Sequence, residues 1–131
     1  ASGWFKNSDS DVQSEHIYFG SLTMRPGGRR PLLLTEFGGY SWPIEGHRFN
    51  LDEEYGYQKF RSAEEFQTAL TALYRKDILP QIKTGLCGTI LTQLSDVEDE
   101  TNGLVTYDRK HIKADPEQMQ QIAAELMGEI Y

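Results

Sequence analysis

The run Pro31-Leu32-Leu33-Leu34-Thr35-Glu36-Phe37-Gly38-Gly39 constrains this chain more than any other stretch. Three successive leucines do not suit a strand with one wet face. They predict a strand covered on both faces, as in a parallel sheet. Glu36 then falls at the carboxyl end of that strand, where parallel α/β sheets and barrels bind their ligands. Gly38 and Gly39 permit backbone angles and close approaches that a β-carbon forbids. A glutamate so placed is either held rigidly toward a cavity or solvated in an ordinary strand-to-loop turn. On this stretch alone the two readings stand level.

The flanking sequence predicts alternation of strand and helix. Residues 1–15 are polar and turn-rich, and Pro26-Gly27-Gly28-Arg29-Arg30-Pro31 is a loop signal. After Gly39 comes an aromatic loop holding Tyr40, Trp42, His47 and Phe49, too irregular for a helix. Ser62 and Glu65 have capping-box spacing at the start of a helix. Its apolar face is Phe66, Leu70, Leu73 and Tyr74, and Pro80 should end or kink it. The apolar run Leu86-Cys87-Gly88-Thr89-Ile90 reads as the next strand, with Cys87 a buried structural thiol rather than a nucleophile. Asp115 caps a last helix with Pro116 in its first turn, and Met119, Ile122, Ala123, Leu126 and Ile130 form its apolar stripe. Strand, helix, strand, helix is the pattern of an α/β protein with a parallel sheet.

Charge narrows the partners. Thirteen Lys and Arg stand against 20 Asp and Glu, a formal net charge of −7. That balance argues against nucleic acid or an anionic membrane surface, both of which need clustered positive charge. No stretch approaches the ~20 apolar residues of a membrane span. The single cysteine excludes an internal disulfide and leaves the compartment open. Glu98-x-Glu100-x-Asn102-Gly103 copies the first half of a calcium loop but has the wrong first residue, and Arg109 stands where the last ligand is needed. A solvated acidic loop is the simpler reading. His16, His47 and His111 lack ligand spacing, so neither a metal site nor a cofactor is expected.

Several motifs in order carry a family resemblance. They are Leu32 to Gly39, then Gly88-Thr89-Ile90-Leu91-Thr92-Gln93-Leu94-Ser95-Asp96-Val97-Glu98, then Asn102-Gly103-Leu104-Val105-Thr106-Tyr107-Asp108-Arg109. Together with Trp4 and Asp11-Val12-Gln13-Ser14-Glu15-His16-Ile17-Tyr18, they resemble the end of the catalytic domain of glycoside hydrolase family 2, which contains the β-galactosidases, β-glucuronidases and β-mannosidases. The resemblance implies strands six, seven and eight of an (β/α)8 TIM barrel. A complete barrel takes roughly 250 residues, and this chain has 131. The implied fold is therefore α/β, a single partial domain over 1–131: the carboxyl-terminal portion of an incomplete barrel, about the last three strands with their helices. Strands at its edges would lack their neighbours, so the isolated chain is expected to self-associate or to rearrange its terminal segment.

The same resemblance assigns roles. Glu36 matches the nucleophile of the family's Thr-Glu-Phe-Gly-like motif. Retaining glycosidases pair such a nucleophile with a second carboxyl group ~5–5.5 Å away that protonates the leaving oxygen. The family's acid lies in an Asn-Glu dipeptide, and none exists here. The implied function is that of a fragment of a retaining hydrolase of β-glycosides, partnered by the rest of its parent enzyme and inactive or very slow alone. His16 and Tyr18, two apart, share a strand face and either contact sugar or fill a barrel layer. Trp42, with Tyr40, either forms an aromatic platform for a pyranose or packs in the core. Gln93 stands where relatives often place an active-site aromatic, and Asp96 follows the eighth strand near the mouth. The resemblance leaves the sugar open. The alternative function is a carbohydrate-binding or interaction module without catalysis.

Overall fold

A computed structural model describes residues 3–6 and 9–128. Its centre is a parallel sheet of three strands, β1 (Gln13–Ile17), β2 (Leu32–Gly38) and β5 (Leu86–Thr92), in the order β1-β2-β5. A short parallel pair, β3 (Tyr40–Ser41) and β4 (Gln58–Lys59), lies between β2 and the first helix in sequence. The chain is thus a mixed α/β protein with a small parallel sheet and few helices.

The leucine run is covered on one face rather than two. Leu32 and Leu34 are fully buried, whereas Leu33 is half-buried. The reason is that the helices pack on one side only: Leu32, Leu34 and Phe37 join Phe66, Leu70, Leu73, Ile78 and Ile122 in a single core. The opposite face carries small and polar groups. Ser14 Oγ lies 2.5 Å from Thr35 Oγ1, and Gly88 stands opposite Leu33 in the strand register. Cys87 is exposed, contrary to expectation, on β5, an edge strand with no described strand beyond it.

Helix α1 (Ala63–Ala72) starts as its sequence predicts. Ser62 Oγ accepts from the Glu65 N–H at 3.1 Å, while Glu65 Oε2 accepts from the Arg61 N–H at 2.9 Å. Pro80 does not end the helical path. The turns widen into a π-helical segment, Leu73–Ile78, and continue as α2 (Leu79–Ile82) with Pro80 in its first turn. The proline falls where the π turns give way to α2. The Leu79 N–H just before it bonds back to the Tyr74 carbonyl across the wider turn, so the break in regular α bonding coincides with the residue that lacks an N–H.

Helix α3 (Pro116–Gly128) begins at the cap Asp115, whose Oδ1 accepts from the Glu117 N–H at 2.9 Å. Of its expected stripe, Ile122 is buried, Met119 and Leu126 pack on the core, and Ala123 is exposed. Ile130 lies outside the described residues. No helix among the described residues is long and apolar enough to cross a membrane.

Candidate functional site

A β-bulge aims Glu36. Strict alternation would put Leu34 and Glu36 on one face, and Leu34 is in the core. The register jumps: Glu15 pairs with Leu34, but its successor His16 pairs with Glu36, so Thr35 has no opposite number. On the other side the register also slips between Leu34 and Phe37. Leu34 and Phe37 therefore both face the core, and Thr35 and Glu36 both turn to the far side. Bulges next to functional sites re-aim side chains in this way.

Glu36 opens into a cavity of about 460 Å³ at the carboxyl ends of β2 and β5, a volume typical of small-molecule sites. Its side chain is 45 % exposed, so it can be reached by a ligand, and His16 Nδ1 lies 3.4 Å from Oε2. The Tyr18 hydroxyl donates to the same Oε2 at 2.7 Å and lies 3.0 Å from Thr92 Oγ1. A phenol has one proton. With that proton on the carboxylate, the Thr92 hydroxyl is the donor to the phenol oxygen. Burial first, and then the Glu36 carboxylate, raise the Tyr18 phenol well above its ordinary range, against the opposing Thr92 bond. Tyr18 is thus a fixed donor that pins one oxygen of Glu36 and leaves Oε1 without a hydrogen bond among the described residues.

Gly38 and Gly39 let the next segment fold over the site. Both have left-handed backbone angles, φ +88° and +63°, which glycine adopts without steric cost. Gly39 donates its N–H to the Thr92 carbonyl at 2.9 Å and accepts from the Tyr57 N–H at 3.0 Å. A β-carbon on Gly39 would sit 2.4 Å from the Tyr57 ring. Tyr57 stacks on Tyr18 with ring centroids 4.0 Å apart, and Tyr55 meets Tyr57 edge-on at 5.6 Å. The Tyr57 phenol is pushed up to about 12 by its bond with Tyr55, then by burial and by neighbouring charges that include Glu36 and Glu100. The opposite wall comes from the segment after β5. Gln93 Nε2 donates to Glu100 Oε2 at 2.8 Å and to Asn102 Oδ1 at 2.6 Å.

Of the residues singled out in the sequence, Glu36, His16, Tyr18 and Gln93 are brought together. Trp42 and Asp96 are not. Trp42 packs on Phe66 at 5.9 Å between centroids, because the chain dives into the core after Ser41, whose buried hydroxyl lies 2.6 Å from Thr101 Oγ1. Tyr40 likewise packs on Phe60. Asp96 is 1 % exposed and paired with the equally buried Lys113 at 2.8 Å, with Gly103 N–H donating to the same oxygen at 2.8 Å. It holds the loop from below and does not face the cavity.

Tyr55, Tyr57, Thr92, Glu100 and Asn102 line the cavity although the sequence did not mark them. The glycine pair was the one available signal, since a chain turned back on itself at Gly39 brings some later segment over Glu36. His47 lies elsewhere, 2.8 Å from Asp108 and edge-on to His111. No group of three or more His, Cys, Asp or Glu among the described residues could hold a metal ion.

No known family model matches this sequence, and no curated protein matches it.

Proposed function

We propose that this chain is the carboxyl-terminal part of a retaining β-glycoside hydrolase barrel of the kind found in glycoside hydrolase family 2, with Glu36 as nucleophile. One observation carries the reading: a reachable carboxylate, bulged out of a strand end and pinned through one oxygen by Tyr18, faces a cavity walled by tyrosines and amides. Planar polar groups beside aromatic rings suit the hydroxyls and apolar faces of a pyranose. The incomplete barrel is supported by three adjacent parallel strands with helices on one face, small residues on the other, and outer edges that no described strand pairs.

In the reaction, Glu36 Oε1 attacks the anomeric carbon as the bond to the leaving oxygen breaks, giving a glycosyl ester; water then cleaves that ester and the carboxylate is regenerated. The leaving oxygen needs a proton, and the family's Asn-Glu acid is absent from the chain. General acid assistance contributes about 10²–10⁴-fold, so ordinary glycosides are cleaved very slowly by this chain, whereas leaving groups that depart as stable anions bypass the need.

The test follows from that difference. Incubation with 2,4-dinitrophenyl 2-deoxy-2-fluoro-β-glycosides should add one fluoroglycosyl group, detected by intact mass and mapped to Glu36, and Glu36→Gln should abolish it. An adduct on another carboxylate overturns the assignment. Saturable glycoside binding with no adduct favours the non-catalytic module.

A further inference from the structure

The cavity has a second carboxylate, and the charge of its lining predicts which sugars it takes. Glu100 and Glu36 both face the same space. No lysine or arginine lines it among the described residues. Lys113 is buried on Asp96, and Lys59 bonds Glu54 at 2.9 Å. His16 lies beside the floor, and its Nδ1 faces Glu36.

The Glu100 wall is also rich in acceptors. Both hydrogens of the Gln93 amide nitrogen are used, one on Glu100 Oε2 and one on Asn102 Oδ1. What Gln93 has left is its carbonyl oxygen, and Glu100 has its second oxygen. These bonds fix Glu100 at the edge of the cavity, where the acidic loop would otherwise be solvated. The Tyr57 phenol opposite is held protonated and stays neutral.

We propose, building on the glycosidase reading above, that Glu100 is a specificity-determining residue that accepts hydrogen bonds from sugar hydroxyls and excludes glycosides whose ring bears a negative charge. The substrate class is a neutral hexopyranoside rather than a uronide. A carboxylate at C5 would meet two like charges in a space that no lysine or arginine lines among the described residues, and such charges repel strongly at short range.

The experiment measures binding, so it needs no turnover. Methyl β-D-galactopyranoside, methyl β-D-glucopyranoside, methyl β-D-mannopyranoside and methyl β-D-glucuronide are titrated into the chain near neutral pH, with affinities taken from tyrosine ring shifts in NMR. At least one neutral glycoside should bind about tenfold or more tighter than the glucuronide. Glu100→Gln should shrink that ratio by about threefold or more, while Glu98→Gln, which removes the same charge from the same loop outside this cavity, should leave it unchanged.

A glucuronide that binds as tightly as the best neutral sugar overturns this inference and leaves the glycosidase reading standing. An unchanged ratio in Glu100→Gln overturns the role of Glu100. Binding of none of the four at their highest soluble concentrations overturns the glycosidase reading itself. The wild-type ratio alone is decisive should the variant fail to fold.

Discussion

Replacing Lys113 by methionine keeps the apolar stem and removes the charged head, and the structure sets the size of the loss. Lys113 is 4 % exposed, and its Nζ donates to Asp96 Oδ1 at 2.8 Å, to the Thr101 carbonyl at 2.9 Å and to the Trp42 carbonyl at 3.1 Å. Asp96 Oδ2 is buried without a partner, so the lysine is the only cation neutralising that carboxylate within the contacts described. Breaking one side of a buried pair costs about 3–5 kcal/mol, because the other charge stays buried and alone. Two carbonyls lose their donor as well, which places Lys113→Met toward the upper end of that range. For a chain of this size, with m near ~2 kcal/mol/M in urea, the midpoint should fall by about 2 M. Trp42, packed on Phe66, reports the transition by fluorescence. Adding Asp96→Asn should restore about half of the loss, since asparagine keeps an acceptor for the Gly103 N–H and no longer strands a charge. A single variant losing less than about 1 kcal/mol, or a double variant as weak as the two losses added, would refute the reasoning.

Three further outcomes are expected. Gly39→Ala places a β-carbon 2.4 Å from the Tyr57 ring at a φ of +63°, so urea unfolding should show a loss of at least ~1–2 kcal/mol from the backbone strain alone, and near-ultraviolet dichroism should show the Tyr18–Tyr57 stack disturbed. The Asp108 carboxyl is held well below its usual range, chiefly by the His47 ring, with the Thr106 hydroxyl and the Lys110 N–H assisting. In acid the unfolded chain therefore binds that proton first. The stability Asp108 contributes is complete above the ordinary carboxylate value and is lost as pH falls through its depressed one; Asp108→Asn should flatten the acid limb of a stability–pH curve. Cys87, exposed on the edge of β5, should react with a thiol reagent in the folded protein at a rate close to that in denaturant, and full protection would show that something covers that edge.

What the sequence made legible was local. The Ser62 and Asp115 caps, the helix face from Phe66 to Tyr74 and the glycine turn each depend on residues within a few positions of one another, and each takes its expected form. What it hid was long-range. Asp96 reads as one more acid near a mouth until Lys113, far along the chain, is placed beneath it. Trp42 reads equally as a platform or as core until Phe66 is found against it. Glu100 looks solvated in a run of acids, and only the Gln93 and Asn102 amides, which fold back beside it, turn it to the cavity. Cys87 sits in an apolar run beside the buried Leu86, yet burial is decided by what packs on each residue from elsewhere in the fold, a matter on which the run is silent.

The bulge shows how a single residue re-aims the side chains of a strand. Leu34 and Phe37 are spaced three apart and both are wholly buried, which regular alternation forbids. Something between them must be extra, and the unpaired residue is Thr35. Its hydroxyl turns to Ser14 at 2.5 Å, which gives the displaced residue a partner. Glu36 is carried to the cavity side by the same shift, while Phe37 returns to the core and anchors the strand immediately beyond it. The carboxylate is therefore held between two buried side chains, at a point where its own strand pairs with neither neighbour in regular register. Rigid backbone on both sides and a fixed donor on one oxygen hold the carboxylate in one pose toward the cavity, and here they arise from the spacing of two apolar residues around Thr35 and Glu36.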